Sequence, residues 1–433
     1  MRSAARALTA VLCVALFLVP VCVLGGEIER RSLPNGVPVV VELRPGSPVV
    51  SVGVVVDAGT KRDPAGLEGL SRVTIEALAQ GAESIPDSEM AVLRGRGGLD
   101  FRHGATRDIA FLGVRAAKPR FEDALRILSA LLIEPRFAQD AVLSEIEAAR
   151  AAVVSDEKKG FERTYSQVLS LLLGDHPYRH SVGTRRGLEA LTREAVVDFH
   201  RRHYTTGNTV ISIVGDVGDG HLDLLSDAFA DYPRSPTPPP DVREPERGDY
   251  RMFEFRMDAG SGQAQRGFLV PGAGEGDAAA LSVIESLLGR LRKGRIHASI
   301  GAWDCGSCGA FNHLLVDGGW FVIHAESEDP ENALERIESE IERLKTEPVP
   351  PDELSVAKWR LKGLAAIESE LGLDRGLALG WSELAGIGAS YPDEMMEKVE
   401  AVDADDVMRV ARRHLVGGAA VIMMPGKPRG RGI

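Results

Sequence analysis

The segment Pro233-Arg234-Ser235-Pro236-Thr237-Pro238-Pro239-Pro240 constrains the fold more than any other stretch. Proline fixes φ and lacks an amide proton, so this run cannot continue a helix or a central strand and reads as a stiff linker. It falls near the middle of the chain once the N-terminus is set aside. There, Arg2 and Arg6 precede an apolar run from Ala7 to Leu24 that ends in Gly25 and Gly26, the pattern of a secretory signal cleaved on export. An uncleaved anchor is the alternative, because the run approaches the length of a membrane span despite Pro20. Cys22 offers a lipidation site, but Val19-Pro20-Val21 before it is not the small-residue context that modification needs. The expected division is a signal over 1–25, one half over 26–232, a linker over 233–249 and a second half over 250–433.

With 433 residues, 44% of them hydrophobic, the chain can bury a sizeable core and is too long for one ordinary domain. Its 51 basic and 63 acidic residues give a net charge of −12, which argues against nucleic acid or an anionic membrane as partner. After signal removal only Cys305 and Cys308 remain, so the fold stands on its core rather than on disulfides.

In the first half, 36–42 and Val49 to Val56 read as paired strands, and Ala65 to Gly81 as an amphipathic helix with Leu67, Leu70, Val73, Ala77 and Leu78 on one face. A strand follows at Ile109 to Val114, then helices over Phe121 to Leu132, Ala141 to Ser155 and Arg193 to His203, the last capped by Thr192. A buried strand closes the half at Thr209 to Val214. In the second half, Gln263 to Pro271 and Gly319 to Ala325 read as strands, with helices at Ala278 to Leu291, Pro330 to Thr346 and Glu353 to Glu368 and a further helical run to Gly386. A helix opening at Ala401 and a strand at Ala419 to Met424 complete it. Leu191 to Val217 is answered by Val402 to Met424, so the two halves repeat each other in outline.

The strand Val49 to Val56, the turn Asp57-Ala58-Gly59-Thr60 and the helix of 65–81 resemble the insulinase/pitrilysin family of zinc peptidases. A longer match runs from His176-Pro177-Tyr178 through Gly183-Thr184, Leu191-Thr192-Arg193-Glu194, Phe199-His200, Tyr204 and Asn208 to Val214-Gly215-Asp216-Val217. The resemblance implies an α+β fold of two homologous halves, each an antiparallel-rich sheet covered by helices, enclosing a chamber. It also implies that 97–114 supplies a sheet edge to which a peptide adds as a strand. In that family the helix carries H-x-x-E-H, whose histidines bind zinc while the glutamate activates water. Aligned on Ala65-Gly66-Leu67, these positions hold Gly69, Arg72 and Val73. The third zinc ligand is a glutamate seven residues after another; with Glu145 as the first, its place is Ala152, and a slipped register meets Ala148, Ala149, Arg150 or Ala151. The family's substrate-contacting arginine and tyrosine, seven apart, correspond to Arg290 and His297, with the tyrosine replaced. The other reading makes these two a helix-end arginine and a strand histidine without a role.

No H-x-x-E-H or H-E-x-x-H occurs among the ten histidines. His176 and His180 are four apart, but Pro177 and Arg179 disfavour a metal there. His200 and His203, beside Arg201 and Arg202, read as a solvated basic face, and His103, His221, His313, His324 and His414 as scattered without a carboxylate pattern. Cys305-Gly306-Ser307-Cys308 reads as a local disulfide candidate, with redox chemistry as the alternative. Three functions remain open: a zinc-less subunit that completes the chamber of an active H-x-x-E-H homologue and holds peptide substrates, a stand-alone peptide-binding or assembly protein, and a metallopeptidase with relocated ligands. No cofactor is expected, zinc included. The chain is expected to be exported, periplasmic in a Gram-negative bacterium and otherwise secreted.

Overall fold

A computed structural model describes residues 26–95, 98–235, 245–289, 294–301 and 304–426. The 1–25 segment, Arg290 and most of the proline-rich linker lie outside the described residues. The first half begins with strands β1 (Ile28–Ser32), β2 (Pro38–Leu43) and β3 (Val49–Val56), then helices α1 (Leu70–Leu78) and α2 (Asp87–Gly95). Strands β4 (Asp100–Ala105) and β5 (Ala110–Ala117) form a hairpin, followed by α3 (Phe121–Ile133), α4 (Gln139–Asp156), α5 (Gly160–Leu173) and α6 (Arg185–Ala190). The half ends with α7 (Arg193–His203), whose N-cap Thr192 accepts from the Ala195 amide, β6 (Thr209–Gly215) and α8 (Asp219–Ala228). Among the described residues no helix is long and apolar enough to cross a membrane.

The second half comprises β7 (Arg251–Met257), β8 (Gly262–Val270), α9 (Ala278–Leu288), α10 (Arg295–Ile300), β9 (Cys308–Leu315) and β10 (Gly318–Ser327). It continues with α11 (Pro330–Thr346), α12 (Pro351–Glu370), α13 (Gly372–Leu384), α14 (Tyr391–Ala401), α15 (Ala404–His414) and β11 (Ala419–Pro425). The sheets run β1-β2-β6-β3-β5-β4 and β7-β11-β8-β10-β9, so five strands of the first half match the second one for one. The expected pairing of β2 with β3 is corrected: β6 inserts between them, parallel to β2 and antiparallel to β3. The last strand of each half does the same, β11 lying parallel to β7 and antiparallel to β8. β4 is an edge strand, paired to β5 alone.

β3, β6 and β8 are buried on both faces, which explains their near-continuous apolar sequence. On the first sheet, Val50, Val52, Val54 and Val56 face a core built with α1, α3 and α4, while Val55, Val210 and Val214 face α13 of the other half. Reciprocally, α5 of the first half packs its Val168, Leu169 and Leu172 on Leu269, Val322 and Val421 of the second sheet. Each half therefore lends one helix to the other's sheet. Glycines permit the close approach: a Cβ on Gly376 of α13 would stand 3.2 Å from the Ser212 hydroxyl, and one on Gly380 would stand 3.0 Å from a Val55 methyl.

A buried polar knot joins the halves. Tyr178 donates to Asp108 at 2.6 Å, Asp108 accepts from the Val316 amide at 3.1 Å, and Lys61 reaches Asp317 at 3.2 Å. Arg375 of α13 reaches fully buried Glu42 in β2 and, at 2.6 Å, Asp393. Such charges are tolerated inside because each meets a partner, and Glu42 has a second one in Arg44 at 2.8 Å, so it keeps a counter-charge even without Arg375.

Candidate functional site

The N-terminus of α1 decides the chemistry. The Asp63 carboxylate accepts from the Gly69 and Ser71 amides, both at 2.7 Å, satisfying two of the helix's free donors. Gly69 is the N-cap, with φ of 108°, in the left-handed region that residues with a Cβ rarely adopt. A Cβ there would lie 2.7 Å from a Leu188 methyl and 3.2 Å from the Gly183 Cα. Gly183 and Gly187 are themselves pressed on the Glu68 backbone, where added Cβ atoms would meet its carbonyl oxygen at 2.6 Å. The Thr184 hydroxyl fastens the contact by donating to Glu68 at 2.9 Å. The position of the first family histidine thus lacks the backbone shape for a side chain, and one placed there would have to displace Leu188 and press on Gly183.

Val73 is 1% exposed in the core, Arg72 is half-buried on α1, and Ala152 is half-buried on α4 with no donor atom in its side chain. These groups do not fit zinc. Among the described residues no group of three or more His, Cys, Asp or Glu is disposed to hold a metal ion. One turn beyond Val73, Glu76 accepts from His103 on the edge strand at 3.0 Å, which holds its carboxyl below the usual range. Glu145 on α4 takes a bond from Gln80 at 2.8 Å, while burial and then Glu76 raise its pKa. His103 therefore has a carboxylate partner, as has His414, 2.7 Å from Asp277; the expectation that both are scattered without one is corrected. Sequence separations of 27 and 137 residues hid these pairs.

His200 and His203 are also corrected. They are buried rather than solvated, His200 lying 3.0 Å from the Leu132 carbonyl of α3, and burial pushes both down to about 4. Pro177 to Arg179 forms a single tight turn in which the His176 Nδ1 accepts from the Tyr178 amide at 3.1 Å. His297 sits half-buried on α10, a helix rather than the strand of the alternative reading, and Arg290 is outside the described residues. Cys305 and Cys308 are joined, with Cα atoms 6.2 Å apart.

Beside the blocked helix start lies a cavity of about 420 Å³, walled by the C-terminal end of α4, by α5, by the 179–186 segment and by Arg107 from the β4–β5 turn. Five arginines line it (Arg107, Arg163, Arg179, Arg185 and Arg186) against three carboxylates, those of Asp156, Glu157 and Glu162. Glu157 is paired to Arg185, and Asp156 to Lys159 at 2.8 Å. Arg107 is 8% exposed. Its Nε donates to the Tyr178 carbonyl at 2.8 Å and its guanidinium lies 4.7 Å from the Trp320 ring centre, while Trp320 donates to the Tyr165 hydroxyl at 2.8 Å. Burial depresses the pKa of Arg107, and also that of His180 on the same wall. Sequence reasoning missed this site: Arg179, Arg185 and Arg186 are close in sequence, but Arg107 and Arg163 converge on them only through the fold.

The family model "Insulinase (Peptidase family M16)" matches residues 38–183, and "Peptidase M16 inactive domain" matches 190–361. An uncharacterized zinc protease of Mycobacterium tuberculosis is 24% identical over 414 residues, covering 93% of this chain and 94% of its own. A probable mitochondrial-processing peptidase subunit beta of Arabidopsis thaliana is 22% identical over 90% of this chain and 76% of its own. Among solved structures, a protease from Helicobacter pylori has the same fold with a TM-score of 0.87 at 18% identity, covering 92% of this chain and 100% of its own. A peptidase M16 inactive domain from Pseudomonas fluorescens reaches 0.81 at 20% identity over 93% and 99%. The two family models together span more than two thirds of the chain, the fold agrees over nearly all the described residues, and the motif helix holds Gly69, Arg72 and Val73: the chain belongs to the insulinase (M16) peptidase family, as a member that has lost the zinc-site residues.

Proposed function

We propose that this chain is an exported, non-catalytic subunit that pairs with an active H-x-x-E-H homologue, completes its chamber and holds peptide substrate there. The observation that carries the reading is the closure of position 69 by φ, by Leu188 and by Gly183, which goes beyond the absence of a histidine. The matched mitochondrial-processing peptidase is by its name a subunit, which supports the reading. The cavity beside α1 also favours a second reading, in which the chain binds peptides on its own.

The test is co-expression with an H-x-x-E-H homologue from the same source. A single co-eluting species on gel filtration, peptidase turnover that rises when this chain is added, and no stoichiometric zinc in this chain alone are expected. Separate peaks at micromolar concentration with unchanged turnover, or one tightly held zinc with chelator-sensitive cleavage by this chain alone, would refute the proposal.

A further inference from the structure

The Arg107 guanidinium is buried, yet its neighbours are a carbonyl, a phenol and an indole face rather than a carboxylate in contact. Asp108, the next residue, is engaged elsewhere by Tyr178, the Val316 amide and Trp381. Asp108 therefore acts on Arg107 only through space, a buried charge with no carboxylate in contact is costly, and fixed guanidinium donors suit planar oxyanions. Arg163 and Arg186 stand exposed on the walls of the same cavity, and Arg179 lines it while donating to the Gly174 carbonyl at 3.1 Å. On a chain of net charge −12, a 420 Å³ cavity in which arginines outnumber acids marks a local reversal of sign. Its volume suits one or two residues of a peptide rather than a folded domain.

We infer that this cavity binds a carboxylate of a peptide, with Arg107 as the buried anchor and Arg163, Arg179 and Arg186 drawing the anion in. The inference rests on the peptide-holding part of the proposed function and gives it a chemical preference. The carboxylate comes from an acidic side chain or from a peptide C-terminus. Tyr165, whose hydroxyl accepts from Trp320 and also meets Arg107, lines the same cavity and keeps a hydroxyl proton to donate.

The experiment is fluorescence anisotropy on the isolated chain with a labelled octapeptide, Ala-Val-Ser-Ala-Leu-Gly-Glu-Glu. Its comparators are the same peptide with both glutamates replaced by glutamine, and the same peptide amidated at its C-terminus. Loss of about tenfold in affinity in one comparator names the source of the carboxylate, and such a loss in either supports the site. Arg163→Ala with Arg186→Ala should weaken binding of the parent peptide by a similar factor and reduce its salt sensitivity, and Arg107→Gln should weaken it further. The rim variants keep the test valid if Arg107→Gln fails to fold. Equal affinity for all three peptides, affinities untouched by the rim variants, or inorganic phosphate held as tightly as the peptide would each overturn the assignment. Because no partner subunit is present, failure here leaves the pairing test unaffected, and failure of pairing leaves this one standing.

Discussion

At Gly69 two constraints act on one residue, the positive φ and the Leu188 contact, and they separate a lost motif from a reversible one. Restoring the whole site by Gly69→His, Arg72→Glu, Val73→His and Ala152→Glu is therefore expected to give a destabilised chain without stoichiometric zinc; tight zinc binding by a folded quadruple variant would contradict the geometry. Asp63 beside it carries a pH signature. Burial, outweighing the Gly69 and Ser71 amides, pushes its carboxyl up to about 7 from an unfolded value of 3.8. The folded state then holds the proton more tightly than the unfolded one, so the group's contribution to stability is full below pH 3.8 and is lost as pH rises through about 7. The loss is on the order of 4 kcal/mol. Buried histidines such as His200 and His324, pushed down to about 4, act with the opposite sign, stabilising above 6.5 and losing that contribution as pH falls. The comparison that isolates Asp63 is Asp63→Asn against the parent in urea unfolding from pH 4 to 8: their stability difference should shift toward the variant as pH rises. A difference independent of pH would refute the assignment. The sequence identified which residues replace the ligands, but not that position 69 is closed, because a glycine does not announce the sign of its own φ and the Leu188 contact comes from a segment 119 residues further on.

At the scale of elements, periodicity and breakers located most helices and strands, since α7 and α11 begin and end where caps and charge predict. Partnership was less legible. The valine runs of β2 and β3 carry no mark that β6, contributed some 150 residues later, will separate them. Nor does α13 look different from a helix of its own half until Gly372, Gly376 and Gly380 are seen four apart, with Ser51, Ser212 and Val55 of the other sheet against them. This spacing yields a test. Gly376→Val should lower stability by about 1–3 kcal/mol through overpacking on Ser212 and Val214. Gly363→Ala, on an exposed part of α12 with open space at its Cβ, should gain about 0.5–1 kcal/mol. Equal effects of the two in denaturant unfolding would show that α13 does not sit tightly on the sheet.

For the whole molecule, the duplication read from Leu191 to Val217 and Val402 to Met424 became two sheets of matching order over five strands, because each half inserts its last strand between two earlier ones. The exchange of α5 and α13 has a further consequence: covalent continuity between the halves is not what keeps them together. Produced alone, residues 26–235 would present the apolar side of α5, with Val168 and Leu172, and a bare sheet face at Val55 and Val214. Residues 245–426 alone would carry the complementary defects, so each fragment should aggregate. Made together as two separate chains, they should each supply the cover the other lacks and co-purify as one soluble particle with a single cooperative unfolding transition. Two independent transitions, or two soluble fragments that ignore each other, would contradict this. The halves behave like the two parts of a clasp, each of which finishes the other.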